Sequence, residues 1–358
     1  MKERSIITFA LAVLTLAGCQ RTSVEEPSGE FISFGTVLTG AEEATRGGAG
    51  VSTGSTAVTR AGAGTTLIDT KDELQAQAFG IYGLKSEDDK ANFVNVFTSD
   101  AALKVYYTTT AIDGQADANT WTYDDRQKWE RTKHYRFRAF WPYTANVNQK
   151  STAKFLAIEY KSVEDYDLMV AYSTRYPLLE GIDRVPMQFH HALSGLRFKF
   201  KLKNTELTSS DAASSLYVTG LYLSGTLIYG KVNDDDNDNT LRWNISENNF
   251  DSTTHLFEWT GEEEFTDSKE ATVFENDKVV FAIPQTLSST KDGRNRKAYI
   301  HFATAYADKA VQTVEIPETT LEPGKIYTFT LIISDSTITV NVDVEDWTEI
   351  QSNVDIYF

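Results

Sequence analysis

The chain has 358 residues, of which 41% are hydrophobic and 12% aromatic, and this apolar content excludes a wholly disordered chain. With 34 basic against 51 acidic residues its formal net charge is −17, so it lacks the excess of Lys and Arg with which a nucleic-acid binder neutralises phosphates. Its single cysteine excludes an intrachain disulfide framework and a cysteine-based zinc cage. We therefore expect a folded protein with no nucleic-acid partner.

The first residues are typical of an export signal. Lys2 and Arg4 form a short basic region, and the apolar stretch 6–17 that follows is shorter than the about 20 residues that span a bilayer. Leu-Ala-Gly stands directly before Cys19, which resembles a bacterial lipobox. We expect a lipoprotein signal over 1–18 and acylation of Cys19, which would anchor the mature chain in the outer membrane. An ordinary secretory signal is the alternative.

The following segment joins a short strand to a long stretch of small residues. Residues 31–37 read Phe-Ile-Ser-Phe-Gly-Thr-Val, which predicts a strand. Residues 40–66 carry Gly, Ala, Ser and Thr without an aromatic residue, which predicts a mobile loop open to proteases. Arg46 and Arg60 lie in this loop, so one cut there could release the strand. Composition alone favours the simpler alternative, a spacer between the lipid and the folded body.

The rest of the chain predicts short strands and no long amphipathic helix. Runs that alternate apolar and polar residues, separated by turn residues, indicate an all-β protein built from antiparallel sandwiches. Pro177 and Pro186 bracket an irregular stretch, where we place the division between two tandem domains. The expected organisation is a signal over 1–18, a lipidated pro-segment over 19–60, an N-terminal β-sandwich over 61–185 and a C-terminal β-sandwich over 186–358.

The far end of the sequence alternates in the same manner. Its apolar positions, which share one face of a predicted strand pattern, are Val340, Val342, Val344, Val354, Ile356 and Phe358. A strand with a free edge is a template for pairing with another chain, so this region is a candidate donor strand. An edge strand that pairs only within its own chain is the alternative.

A series of motifs covers nearly the whole chain in a fixed order. They are Thr-Arg-Ala at 59–61, Phe-Gly-Ile-Tyr-Gly at 79–83, Tyr-Arg-Phe-Arg-Ala-Phe-Trp-Pro-Tyr at 135–143, Asp-Leu-Met-Val-Ala at 167–171, Phe-His-His-Ala-Leu-Ser-Gly-Leu at 189–196, Ile-Pro-Gln at 283–285, Leu-Glu-Pro-Gly-Lys-Ile-Tyr at 321–327 and Val-Glu-Asp-Trp at 344–347. Together they resemble the fimbrillins, the structural subunits of type V pili in Bacteroidota.

The resemblance implies two transthyretin-like sandwiches, export as a lipoprotein to the cell surface, and strand exchange between pilus subunits. It implies cleavage after Arg60, or after Arg46 as second choice, by a trypsin-like protease. The released strand would carry Phe31, Ile32, Phe34 and Val37, and the donor strand would come from 337–358 of the next subunit. Stalk, tip and anchor roles all remain open.

Other candidate sites are weak. The Asp-rich segment 233–239 fails the EF-hand pattern, because Asn and Ile stand where Gly and Glu are needed, so a hairpin loop is favoured over a cation site. His190 and His191 are adjacent and would face opposite sides of a strand, so they predict no shared metal. Trp121, Tyr123 and Trp129 could stack on sugars, although core packing is favoured.

No catalytic constellation is present in the sequence, so we expect no enzyme activity and no cofactor or metal. A pilus subunit, structural or adhesive, is the favoured function. The alternative is a monomeric surface lipoprotein that binds a host glycan or protein receptor.

Overall fold

The computed structural model describes residues 31–38, 65–66, 71–90, 92–112, 116, 118–147, 151–152, 154–162, 166–181, 184–203, 210–230, 240–274, 278–290, 296–305, 309–334 and 337–347. Strands make up 58% of these residues and helices 5%, which confirms the all-β prediction. Within these ranges, no helix is both long and apolar enough to cross a membrane. Several sequence predictions lie outside the described residues: Cys19, Arg46, Arg60, Val354, Ile356, Phe358 and the segment 233–239.

The first part of the chain consists of eleven strands and two short helices in the described ranges. They are β1 (Phe34–Leu38), β2 (Thr65–Thr66), α1 (Lys71–Gln75), β3 (Phe79–Ser86), β4 (Val94–Asn95), β5 (Leu103–Thr108), β6 (Thr120–Thr122), β7 (His134–Trp141), β8 (Asn146–Val147), β9 (Phe155–Lys161), β10 (Met169–Arg175), α2 (Pro177–Glu180) and β11 (Val185–His191).

Eight of these strands form one sheet, in the order β4-β3-β5-β6-β1-β11-β10-β7. An additional pairing of β3 with β7 joins the two sides, so the strands from β3 round to β7 form a closed ring. Closure is favourable because it leaves no unpaired edge within the ring. Aromatic and aliphatic side chains from every ring strand fill the interior, so β1 completes both the ring and its core.

The second part of the chain supplies the remaining described elements. They are β12 (Ser194–Leu202), β13 (Ser210–Thr219), β14 (Leu221–Tyr222), β15 (Ser224–Gly230), β16 (Leu241–Asn244), a 3₁₀ turn (Glu247–Asn249), β17 (Phe250–Asp251), β18 (Glu258–Thr266), β19 (Ala271–Thr272), β20 (Lys278–Ala282), β21 (Thr286–Leu287), β22 (Tyr299–Thr304), β23 (Gln312–Glu315), β24 (Thr319–Thr320), β25 (Lys325–Ile333) and β26 (Ile338–Asp346).

Two sheets enclose the second core. One has the order β2-β20-β12-β25-β26, with β19 beside β12, and the other has the order β18-β13-β22-β23. Alternating residues of β12, β13 and β25 point into the space between them, as expected for strands with one buried face. Among the described strands β26 is the last of its sheet and pairs with β25 alone.

The two parts share a third core. β9 from the first part pairs antiparallel with β15 from the second, in a sheet of order β16-β15-β9-β8. Buried residues of both parts pack beneath it, among them Phe140 of β7 and Phe281 of β20. β11 begins at the residue where the sequence placed the domain division, and its pairings are with β1 and β10 of the first ring.

The expectation of purely antiparallel sheets is wrong in two places. β1 pairs parallel with β11, and β12 pairs parallel with β25 over eight positions. A parallel pair needs a long connection between its strands. In both cases many other strands lie between the two partners in the sequence. Local turn signals could not reveal these pairings.

Candidate functional site: the first strand and its groove

β1 lies inside the ring sheet with partners on both sides. Its residues pair in parallel register with β11 from Phe34 opposite Val185 to Leu38 opposite Phe189. On the other side Phe34 pairs antiparallel with Trp121 of β6. The strand-like run predicted from the sequence is therefore a strand in the structure, and the backbone of Val37 lies within it. We call the space between β6 and β11 that β1 fills the β1 groove.

Large side chains secure β1 in this groove. Ile32 and Phe34 are completely buried. The Phe34 ring lies edge-on to Phe79 and Phe137, with centroid distances of 6.4 and 5.5 Å, and tilted against Tyr123 at 5.7 Å. Such pairs add to the free energy gained from burial alone. Phe34 is consequently the main apolar anchor of the strand.

Two side chains of the groove also donate hydrogen bonds, one to β1 and one to Ile32 two positions before it. The indole Nε1 of Trp121 donates to Oγ1 of Thr36 over 2.9 Å, and both residues are buried. The phenol of Tyr123 donates to the carbonyl of Ile32 over 3.1 Å and accepts from the backbone N–H of Gln127. Burial raises the pKa of Tyr123 to about 12, and the hydrogen bond from Gln127 opposes this shift. The phenol therefore stays a donor at physiological pH.

The start of the strand is attached more loosely. Phe31 forms an isolated antiparallel bridge with Lys128 and is only half-buried. The guanidinium of Arg126 lies 4.4 Å from its ring centroid and the ammonium of Lys128 5.8 Å from it. These contacts lie at the partly exposed margin of the groove, where cation–π pairs contribute little.

β26, which contains three of the predicted donor residues, is a contrasting case. It pairs antiparallel with β25 over nine positions, from Ile338 to Asp346. Val340 and Val342 are half-buried against the second core, whereas Val344 is 52% exposed. In this structure β26 is therefore paired within its own chain.

Residues from four of the sequence motifs meet directly after β26. Trp347 is buried and stacks on the His191 ring at 4.1 Å and on Phe281 at 5.6 Å. Nδ1 of His191 lies 2.8 Å from Oδ2 of the buried Asp167. The backbone N–H of Trp347 donates to the carbonyl of Gly324, whose own N–H donates to Leu193. This Trp347 clamp fixes the chain where β26 ends.

The weaker candidate residues have structural roles. Trp121, Tyr123 and Trp129 are all buried, which confirms core packing over an exposed sugar platform. His191 is buried while His190 is half-buried, as expected for neighbours on opposite faces of β11. In the part of the chain that the structure describes, no three His, Cys, Asp or Glu side chains are grouped to hold a metal ion.

Sequence reasoning missed the polar contacts of the groove. The sequence suggests only sugar stacking or core packing for Trp121 and Tyr123, and their hydrogen bonds to Thr36 and Ile32 cross more than eighty residues of sequence. The alternation Thr-Trp-Thr-Tyr at 120–123 marks a strand but carries no sign of its partner. The available signal was Thr36 itself, a hydroxyl residue two positions after Phe34 and therefore on the same face of the predicted strand.

Comparisons with known proteins give the family of the chain. The model of the Fimbrillin-like family matches residues 59–347, so the chain belongs to this family. A fimbrial protein from Bacteroides vulgatus has a similar structure, with a TM-score of 0.56 and 16% identity over 80% of this chain and 100% of that one. A candidate cell adhesion protein from Bacteroides uniformis matches with a TM-score of 0.42 and 18% identity, over 80% and 98% of the two chains. No protein of curated function matches the chain.

Membership of this family gives the general function. Fimbrillin-like proteins are adhesion proteins of the cell surface and not enzymes, which confirms the expectation of a non-enzymatic chain. The family also implies assembly with other fimbrial subunits.

Proposed function

We propose that the chain is a structural or adhesive pilus subunit that polymerises by replacing β1 with a strand of the next subunit. It is exported as a lipoprotein on Cys19 and is activated by cleavage after Arg60 or, as second choice, Arg46. The cut separates the segment that contains β1 from the folded body. A strand from within residues 337–358 of another copy then fills the β1 groove.

The observation that carries this proposal is the position of β1 in the closed ring. Removal of a strand at an open sheet edge would leave one edge as before, but removal of β1 opens the ring between β6 and β11. Two unpaired edges then appear at once, and unpaired edges are templates for another strand. Pairing in trans restores backbone hydrogen bonds and covers the core.

The interior of the groove supports the same conclusion. Loss of Phe34 and Ile32 would uncover rings that are now completely buried, such as Phe79 and Phe137. Burial of one large apolar side chain contributes about 1.5 to 3 kcal/mol, so an empty groove is a strong attractor for an apolar strand. Because groove and donor lie on different parts of one chain, the contact does not close and the product is a filament.

Limited proteolysis tests the proposal. The mature chain is treated with trace trypsin, and cleavage is expected to give a new N-terminus at Ala61 together with SDS-resistant multimers. Arg60→Gln is expected to shift the cut to Arg46, and the double change with Arg46→Gln to abolish both the cut and the multimers. A chain lacking residues 348–358 is the matched control, since it should be cut normally.

Two outcomes would contradict the proposal. A fully cut chain that stays monomeric at high concentration excludes self-polymerisation by strand exchange. Multimers formed equally by the uncut double variant show assembly without release of β1. Lipidation is tested separately, because Cys19→Ser should move the chain from the membrane fraction to the soluble fraction.

A further inference from the structure

The hydrogen bond between Trp121 and Thr36 has a consequence for any strand that replaces β1. The indole nitrogen can only donate, and it lies in the groove wall beneath the place that β1 occupies. Its ring is held between Phe79 and Tyr107, at centroid distances of 5.0 and 5.5 Å. Packed in this manner, the indole cannot turn towards a different acceptor without moving its neighbours.

The groove therefore grips a strand in two different ways. Tyr123 donates to a backbone carbonyl, which every strand offers whatever its sequence. Trp121 donates to a side-chain oxygen, so it distinguishes between strands. An apolar side chain in place of Thr36 would leave a buried donor without a partner, which costs more than one hydrogen bond contributes.

We propose that Trp121 sets the sequence and register of the incoming strand, and that the strand is segment 348–358 of a second copy, with Ser352 in the place of Thr36. This inference rests on the proposed strand exchange. It assigns a register and a specificity residue that the exchange alone leaves undefined.

The sequence pattern carries this assignment. β1 has a hydroxyl residue at Thr36 with Phe34 two positions before it and Leu38 two positions after it. Segment 348–358 repeats the pattern with Ile350, Ser352 and Val354. Because the pattern is symmetrical, it fits the groove in either strand direction.

β26 lacks the pattern. Its apolar face, Ile338, Val340, Val342 and Val344, contains no hydroxyl, and its Thr and Asn residues lie on the other face. The Trp347 clamp also separates β26 from the segment that follows, because it fixes Trp347 among His191 and Phe281. The donor therefore begins beyond Trp347, and β26 remains paired with β25.

The test is a competition for the groove. The chain lacking residues 348–358, which carries no donor of its own under this proposal, is cut with trace trypsin so that β1 stays in the groove until a competitor replaces it, and a fluorescent peptide of residues 348–358 is added. Displacement of β1 is followed by anisotropy. The Ser352→Val peptide is expected to need about a tenfold or higher concentration. A Gln351→Val peptide is the matched control, since it makes a similar change on the opposite face and should compete like the native peptide.

The same measurement on Trp121→Phe assigns the effect to the indole. There the native and Ser352→Val peptides should compete within about twofold of each other, because no donor remains to be satisfied. If this variant fails to fold, the unaltered chain is tested with peptides of residues 30–38. Thr36→Val should then weaken the rebinding of that peptide by a similar factor.

The outcomes separate this inference from the proposed function. If the native and Ser352→Val peptides compete equally in the chain with Trp121, then Trp121 does not select a hydroxyl residue in the incoming strand, and this inference is wrong. Exchange of the 30–38 peptide without binding of the 348–358 peptide overturns the assigned donor but leaves the groove intact. Failure of both peptides to enter the cut chain removes strand exchange itself.

Discussion

β1 and β26 show that backbone pairing and side-chain burial are separate ways to hold a strand. β26 pairs with its neighbour over nine positions, yet its side chains are half-buried at best. β1 pairs over five positions with β11 and one with β6, yet its Phe34 and Thr36 are buried, as is Ile32 two positions before it. A backbone hydrogen bond contributes about 1 kcal/mol net, whereas a large buried side chain contributes up to about 3 kcal/mol. A large buried side chain such as Phe34 therefore contributes more to holding β1 than any one of its backbone hydrogen bonds.

The charges at β26 extend the contrast. The last four residues of β26 include three acidic ones, Asp343, Glu345 and Asp346. The fourth is the exposed Val344. Glu345 forms an ion pair with Arg197 of β12, and Asp346 lies 3.8 Å from Lys325. Charged edge strands resist pairing with other chains. The two strands thus differ in charge as well as in burial, since β1 lies in an apolar groove and β26 carries acidic side chains at the end of its sheet.

The largest expected effect comes from removing the main apolar anchor of β1. Phe34→Ala should lower the free energy of unfolding of the uncut chain by about 3 to 5 kcal/mol, because it removes a ring packed against three others. Val342→Ala in β26 should cost only about 1 to 2 kcal/mol, since that side chain is half-buried. Urea denaturation of both variants checks the difference. Equal losses would mean that β1 is no better anchored than the edge strand.

A second effect depends on pH. The pKa of Tyr123 is raised to about 12 by burial, against about 10 in the unfolded chain. The unfolded chain then releases the proton first, so the stabilisation is complete below pH 10 and is lost as the pH rises towards 12, by about 2 to 3 kcal/mol. Tyr123→Phe should flatten this decline, as measured by protease release of β1 across that pH range.

Tyr229 is the internal control for that measurement. Burial raises its pKa to about 12 as well, but it lies on β15, away from the groove. Tyr229→Phe should flatten the pH dependence of global unfolding and leave the release of β1 unchanged. Release of β1 that responds equally to both variants would place its control outside the groove.

These contrasts show what the sequence could and could not predict. Period-two alternation identified β1 and β26, because a buried face dictates that pattern locally. It did not reveal that β1 pairs parallel with β11, since partners distant in sequence leave no local mark. The resemblance to the fimbrillins predicts Phe34 as part of the released strand, whereas no sequence pattern marks the hydrogen bond from Trp121 of β6 to Thr36 of the neighbouring β1.

The shared core was also beyond sequence reasoning. A division near residue 185 follows from two prolines, but the pairing of β9 with β15 ties the two parts together through backbone contacts that no composition shift signals. The motifs that suggested the family met at the Trp347 clamp, where Asp167, His191 and Trp347 lie together. The order of the motifs along the chain indicates the family, whereas only the fold shows that these residues are in contact.

A third, smaller effect isolates the polar contact in the β1 groove. Trp121→Phe and Thr36→Val should each lower the free energy of unfolding, by about 1 to 3 kcal/mol where a buried polar atom is left without a partner. The double variant should cost less than the two single losses combined, because the second change removes a partner already lost. Denaturant unfolding of the three variants gives the coupling. Additive losses would show that the two residues act independently.

The smallest expected effect is on the exposed part of β26. Val344→Thr keeps the branched shape and changes a side chain that is 52% exposed, so the free energy of unfolding should change by less than about 0.5 kcal/mol. Val342→Thr, two positions earlier and half-buried, should cost more and is the matched control. The cut chain should also polymerise normally with Val344→Thr if β26 stays on β25. If the variant folds normally but no longer polymerises, β26 itself is the donor strand and must leave β25 during assembly.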